Sequence, residues 1–426
     1  NKYVNDAKLR LSWGMTGSMA GVSNYAPLSL ISAGGASYNG SAGFQISQDA
    51  RALTWEKASQ FNIGFDIEMF QSRLTLNVDM FYQKTTDLLF KKPVNATTGY
   101  TTLQSNIGSL ENKGLELALN GKILTGKFKW DLGGNISFVK NKLLSLIEGN
   151  DMYIVPSSGS NLLGGSMHAL INGQPISTFY MLKMEGIYQR DEEVPAKLYA
   201  KGVRAGDVKY FDYNEDGDIS DADRMNVGKA IPDFYGGITS NFSYKGFDLS
   251  LFGQFSVGGK VMSAWRGVNG SEGTDHLGLA LSNVKVSDRG ESVEQYFNVS
   301  KEVANGYWRG EGTSNTIPRP VRIGVHTGYD YDYNVQTSTR YLEDAFYFKL
   351  KTVTLGYTLP ESVVKKLRVN SLRVYVSADN LLTLTKYSGY DPETSFSGSP
   401  GDSNYGVDFG LQPVLRTFIF GLNLNF

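Results

Sequence analysis

The stretch that most restricts the fold is the last one, PVLRTFIFGLNLNF, from Pro413 to Phe426. From Phe418 onward every second residue is large and apolar: Phe418, Phe420, Leu422, Leu424 and Phe426. Ile419, Gly421, Asn423 and Asn425 lie between them. A period of two puts one apolar face on a β-strand. Two architectures use such a strand. A soluble sandwich buries the apolar face, and its other face usually carries more charge than this one does. A membrane barrel turns the apolar face to lipid and a small or polar face to its lumen.

The alternation recurs along the chain. Between Leu53 and Met69, Phe61, Ile63, Phe65, Ile67 and Met69 alternate with Gln60, Asn62, Gly64, Asp66 and Glu68. After a turn at Gln71-Ser72, Leu74, Leu76, Val78, Met80 and Tyr82 alternate with Thr75, Asn77, Asp79 and Gln83. Such a hairpin has one apolar and one wet face, and strands of about 15 residues are long for a sandwich. Further pairs follow: Glu111 to Leu124 with Lys127 to Asn141, Asp233 to Tyr244 with Phe247 to Val261, and Tyr341 to Leu359 with Ser371 to Lys386. Their connections are Thr125-Gly126, Lys245-Gly246 and PESVVKKLRVN. With Lys8 to Thr16 and the final strand, the spanning strands number ten.

Short turns alternate with long loops at 17–52, 90–110, 142–232, 262–340 and 387–412. That is the layout of an outer-membrane barrel, with periplasmic turns and extracellular loops. Counting back from a periplasmic C-terminus puts every short turn in the periplasm and every long loop outside. Pro175 to Gln189 also reads as a strand, but an eleventh crossing breaks this parity. It is therefore assigned to the 142–232 excursion, as part of an extracellular hairpin. Ten strands with such loops do not suit a small closed barrel, and lipid does not tolerate an open sheet edge. Strands from preceding sequence or a second chain are expected. Asn1 opens directly into NDAKLRLSWGMTG, which reads as the middle of a domain, so the chain is expected to be the C-terminal part of something longer.

Composition narrows the function classes. No stretch of the 426 residues reaches the ~18 to 20 continuous apolar residues of a spanning helix. The net charge of -1, with scattered Lys and Arg, argues against nucleic acid as a partner. With no Cys there is no disulfide framework or thiol chemistry. The three histidines, His168, His276 and His326, are far apart, and neither HExxH nor GxSxG is present. No enzyme is expected.

The sharpest motif runs from Asp212 to Asp223, DYNEDGDISDAD, and fits D-x-[DN]-x-[DN]-G with a carboxylate at position 12. Hard cations take six to eight oxygens, and alternate residues of a tight loop supply them. Asp212, Asn214 and Asp216 would give side-chain oxygens, Asp218 its backbone carbonyl, Ser220 a water-mediated contact, and Asp223 would close the site. Gly217 allows the sharp turn. Asp223 is shorter than the Glu usual in EF-hands, and no flanking EF-hand helices are evident. The reading is a structural Ca2+, before Mg2+, that stiffens an extracellular loop. The alternative is an acidic loop of Asx-turns with no ion. Loop aromatics form a second candidate set: Trp265, Tyr307, Trp308 and Tyr331 offer faces on which sugar rings or peptide side chains stack, or loop–loop packing surfaces. Phe70, Phe81, Tyr82, Trp130 and Phe426, near strand ends, read as membrane girdle.

Several stretches together resemble one family. LRLSWGMTGS, the WEKASQFNIGFDIEMFQSRLTLNVDMFYQKTTDLL hairpin, NIGSLENKGLELALNGKIL, INGQPISTFYMLKMEGIYQ, DVKYFDYNEDGDISDADRMNVG, FKLKTVTLGYTLP, LRVYVSADNLLTLTKYSGYDPE and RTFIFGLNLNF are similar to SusC/RagA-type TonB-dependent transporters of Bacteroidetes outer membranes. The match runs nearly end to end and in order. It is weakest at about 263–340, where substrate individuality is expected. The resemblance implies an all-β fold, the C-terminal portion of a 22-stranded transmembrane antiparallel barrel, with the N-terminal plug, TonB-box and earlier strands outside this sequence. It implies a SusD-like lipoprotein lid over the extracellular loops and energy from the TonB complex. It also implies active import of oligosaccharides or oligopeptides across the outer membrane, along a polar wall of residues such as Asn62, Asp66, Asn77, Asp79, Glu116 and Asn120. The alternative is a passive porin or a surface adhesin barrel.

Overall fold

In a computed structural model, ten long strands form one antiparallel sheet. They are β1 (Val4–Ser18), β2 (Glu56–Met69), β3 (Leu74–Thr86), β4 (Ser109–Thr125) and β5 (Phe128–Ser145), then β6 (Phe234–Tyr244), β7 (Phe247–Val257), β8 (Tyr347–Thr358), β9 (Ser371–Thr385) and β10 (Thr417–Asn425). The strand order in the sheet is the sequence order, from β1 at one end to β10 at the other. The structure describes residues 3–19, 31–38, 41–46, 53–93, 102–146, 151–155, 167–266, 278–279, 284–285, 292–293, 301–319, 321–322, 333–393 and 405–426. Among them no helix is long and apolar enough to cross a membrane.

The chain divides into two compact units. One comprises Asn1–Asn120, Ser137–Tyr153 and Leu170–Pro175; the other comprises Gly121–Ile136, Ile154–Ala169 and Ile176–Phe426. In the first, β1 pairs with β2 and β2 with β3 in registers that set Leu9 opposite Phe65, Leu11 opposite Ile63, and Ile63 opposite Met80. These alternating apolar positions therefore share one face, and it is exposed, Leu11 by 63% and Trp13 by 69%. The polar positions Arg10, Asn62, Asp66, Asn77 and Asp79 share the other. In the second unit, Leu249 lies opposite Leu355, Leu355 opposite Val376, and Val376 opposite Phe420. This face is again exposed, Phe420 by 83%. Large apolar side chains exposed in register along long strands are what a lipid-facing wall requires.

Turns close one end of the strands. Phe70, Gln71 and Ser72 all adopt left-handed φ between β2 and β3, a costly run for residues with Cβ atoms. Asn5 offsets it by accepting a bond from the Gln71 amide at 2.7 Å, and Tyr3 packs edge-on against Phe70. Lys245 (φ 46°) and Gly246 (φ 89°) join β6 to β7, the positive-φ pair of a type I′ turn that matches strand twist. A short helix over Glu361–Val364 lies in the β8–β9 connection. The long excursions 19–55, 87–108, 146–233, 258–346 and 386–416 leave from the opposite end.

Pro175 to Gln189 lies in the 146–233 excursion, outside the ten-stranded sheet, but it is not one strand of a hairpin. It breaks into Thr178–Met181, which pairs with Met225–Lys229, and Met184–Ile187, which pairs with Val208–Tyr210. Two buried clusters form around these pieces, one containing Phe179, Met181, Met262 and Tyr341, the other Ile187, Leu198, Val208 and Tyr333. The described core lies mostly in these excursions, since the sheet's own apolar face points outward.

Candidate functional site

The wet face of the first unit carries a fixed charge cluster. Arg10 donates to Asp66 through Nε at 2.7 Å and Nη2 at 2.9 Å, and to Asp79 through Nη2 at 2.9 Å. Asn77 donates to Asp66 at 2.8 Å. Gly64 makes room for this cluster: a Cβ there would stand 2.5 Å from the Arg10 guanidinium carbon and from an Asp79 oxygen. The second unit repeats the device, with Arg373 paired to Asp248 above Gly356. Phe81, expected in the membrane girdle, belongs to this wet face instead. It lies opposite Asn62, over Gly114, where a Cβ would come within 2.4 Å of its ring.

At the excursion end of the second unit, the polar faces of β6, β7 and β8 meet the returning chain around a cavity of about 350 Å3. Tyr235, Gln254, Ser256, Tyr347, Glu393 and Tyr405 are among its lining residues. The lining Glu393 is held by Lys349, whose side chain is 3% exposed and donates to Asp391 at 2.5 Å and to Glu393 at 2.6 Å. Lys351 adds a bond to Glu393 at 2.8 Å. Burial alone would raise Glu393, but the two lysines outweigh it and hold the carboxyl below the usual range. Burial pushes the Tyr405 phenol up. Aromatic faces beside carboxylate, amide and hydroxyl groups suit hydrated polar ligands.

The aromatic candidates do not converge. Trp265 follows the Met262 cluster and donates to the Tyr387 hydroxyl at 3.3 Å, which in turn donates to Asp408 at 2.7 Å. Trp308 packs on the other cluster, covers Gly206 and donates to Gln189 at 3.2 Å. Tyr307 is faced by the Arg309 guanidinium, 4.4 Å from its ring centre. Tyr331 lies outside the described residues. Lys349, Asp391, Tyr235 and Tyr405 escaped sequence reasoning. A lysine on the wet face of FKLK, with two carboxylates in YDPE about forty residues later, was the available signal.

The acidic loop is tightly wired. Asp212 accepts from the Asp216 amide at 3.2 Å and the Gly217 amide at 2.7 Å, and Asp216 accepts from the Asp218 amide at 2.8 Å. Asn214 accepts from the Asp216 amide at 3.0 Å, and Gly217 has φ 77°. Asp223 is fully buried; one oxygen accepts from the Tyr213 amide at 3.0 Å and the other from the Ser220 amide at 2.8 Å. Lys201 reaches Asp218 at 2.5 Å, and Lys197 reaches the Asp216 carbonyl. Among the described residues no three His, Asp or Glu side chains are arranged to hold a metal ion. Asp212, Asn214 and Asp216 have the donor chemistry for a hard cation, and like Asp223 they already accept backbone amides; Asp223 differs in being fully buried.

Comparison with known proteins adds a family. A family model described as TonB dependent receptor-like, beta-barrel, matches residues 2–221. The TonB-dependent receptor P3 of Formosa agariphila is 33% identical over 431 residues, covering 98% of this chain and 39% of the relative. The TonB-dependent receptor SusC of Bacteroides thetaiotaomicron is 28% identical over 436 residues, covering 99% and 38%. Among solved structures, the RagAB peptide transporter superposes with a TM-score of 0.76 at 23% identity, over 100% of this chain and 41% of that one. The chain thus spans about two fifths of the length of the relatives it matches.

Proposed function

The chain belongs to the TonB dependent receptor-like β-barrel family, and from that premise we propose that it is part of an outer-membrane transporter that actively imports oligosaccharides or oligopeptides. The carrying observation is the two-faced sheet: ten long strands, apolar side chains exposed on one face, ion pairs and amides on the other, turns at one end and long excursions at the opposite one. A relative named TonB-dependent receptor SusC and a structural neighbour described as a peptide transporter are in keeping with this reading.

In this reading, extracellular excursions and a SusD-like lipoprotein lid capture the ligand. The Tyr235–Tyr347–Tyr405 cavity offers stacking faces, while Gln254, Ser256 and Glu393 offer hydrogen bonds. Force from the TonB complex opens the path, and the ligand moves along the polar wall. Fixed clusters keep that wall wet, as where the Arg10 guanidinium answers the two carboxylates of Asp66 and Asp79. β1 and β10 end the strand order, and in lipid their outer edges require further strands. No chemical step is assigned to any residue.

The acidic loop is given a structural Ca2+, held by side-chain oxygens of Asp212, Asn214 and Asp216 and by the Asp218 backbone carbonyl, with the Asp218 carboxylate left on Lys201. Asp223 then shapes the loop through its amide bonds. At 100-fold excess over Kd such an ion adds about 2.7 kcal/mol to whatever it stabilises. The check is protection of 212–223 from hydrogen exchange with Ca2+ against chelator; equal protection rejects the ion.

The decisive experiment is uptake of labelled oligopeptides and oligosaccharides by cells carrying the full-length gene, its deletion, or a strain without TonB. Uptake lost in both the deletion and the TonB-less strain is expected. Uptake that survives loss of TonB would make the protein a passive porin, and surface binding without uptake would make it an adhesin.

A further inference from the structure

The outward face of the second unit is not smooth. Near the short turns, Phe128, Phe242, Tyr244, Phe247, Leu249 and Leu355 frame a cleft of about 380 Å3, which Ser243 and Asp248 also line. Its walls are braced by ring contacts: Phe128 lies 6.1 Å from Phe242 and 6.2 Å from Tyr244, and Phe247 lies 4.4 Å from Tyr357. The registers put Leu249 opposite Phe242 and Leu355 opposite Leu249. The cleft is thus on the same face as the exposed apolar band.

Its turn-side rim is cationic. Lys127 precedes Phe128, and the Lys245 ammonium stands 5.3 Å from the Tyr244 ring centre; both lysines are exposed. The Thr358 amide donates to the Gly246 carbonyl at 2.8 Å, which brings the β8–β9 connection to this end. That connection carries exposed Lys365, Lys366 and Arg368. Asp248, which lines the cleft, is paired with Arg373, and Glu361 takes up Lys365 of that connection.

We propose that this cleft seats an acyl chain of one anionic phospholipid, whose phosphate lies against Lys127 and Lys245. An apolar slot under a cationic rim complements the two halves of such a lipid. A zwitterionic lipid fills the slot equally well but gains less from the rim. The inference rests on the outward face meeting lipid and is independent of what is imported.

The test is native mass spectrometry of the full-length protein, stripped of lipid in detergent. It is titrated with phosphatidylglycerol and, separately, with phosphatidylcholine of the same chains. One phosphatidylglycerol is expected to bind ahead of all others, with no such copy of phosphatidylcholine. The Lys127→Gln/Lys245→Gln pair weakens that copy about fivefold per lysine and leaves phosphatidylcholine binding unchanged. Leu355→Trp, which fills the cleft, abolishes the copy; should that variant fail to fold, the exposed lysine pair decides alone. Equal, graded binding of both lipids overturns the site, as does a tight copy that survives the lysine pair.

Discussion

Lys349 shows what a single buried charge does here. Its partners, Asp391 and Glu393, are not on the sheet but on the chain returning to it, so the lysine ties that segment to β8. Removing it would strand the buried Asp391, while Glu393 keeps Lys351, at a cost of about 3–5 kcal/mol. Lys349→Met is expected to speed hydrogen exchange across 387–393 while the sheet amides stay protected; adding Asp391→Leu and Glu393→Gln restores the protection. Glu343 holds a second tie, accepting from Ser263 at 2.8 Å, Arg266 at 3.1 Å and the Ser388 amide at 2.8 Å. Burial pushes its carboxyl up, but these donors outweigh burial and hold it below its ordinary 4.5. A depressed carboxyl contributes stability that is complete above the unfolded value and lost as pH falls through the folded one. Exchange around Ser388 should therefore be flat from pH 7 to about 5 and rise below about 4.5, and Glu343→Gln should remove that rise. The Glu343 tie left no signal in the sequence and the Lys349 tie only that of FKLK and YDPE, because each joins residues more than forty positions apart whose pairing depends on how the excursions return.

The strands themselves were legible for a physical reason: a period of two is local, and one slipped residue would exchange the two faces of the sheet. β10 gives the cleanest test. Leu422 lies opposite Val374 on the outward face, while the next residue, Asn423, lies opposite Arg373 on the inward one. Leu422→Arg is expected to destabilise the full-length protein in bilayers by about 2–4 kcal/mol, and Asn423→Arg by far less, since the lumen is wet. Denaturant titration of protein folded into vesicles measures both. Equal costs would mean that the outward face does not meet lipid. A parallel contrast concerns close strand approach. A Cβ at Gly236 would stand 2.1 Å from the Asn135 carbonyl oxygen, a backbone atom, whereas one at Gly14 would meet nothing within 4 Å. Gly236→Ala should cost about 1–3 kcal/mol and Gly14→Ala almost nothing in the same titration. Where periodicity fails, so does legibility. Pro175–Gln189 alternates like a spanning strand, yet its two halves pair with Met225–Lys229 and Val208–Tyr210. Phe81 looks like girdle by composition but packs inward because Gly114 leaves it space.

At the scale of the molecule, the unsatisfied quantity is the sheet edge. β1 and β10 stand at the two ends of the strand order, and each has long rows of backbone groups on its outer side. A soluble sheet can leave such an edge to water; a sheet whose apolar face meets lipid cannot, because several kcal/mol attach to each unpaired amide and carbonyl in hydrocarbon. The relatives are about two and a half times as long as this chain, which covers 38–39% of P3 and SusC, and sequence of that extra length would be enough to supply such strands. Produced alone and offered detergent or vesicles, residues 1–426 should therefore associate through the β1 and β10 edges into heterogeneous oligomers, without the heat-sensitive gel mobility of a closed barrel. Supplying the remaining part of the full-length protein during refolding should yield one complex of defined mass with that mobility. A discrete, membrane-inserted monomer formed by 1–426 alone would mean that β1 and β10 close on each other, and the requirement for further strands would fall.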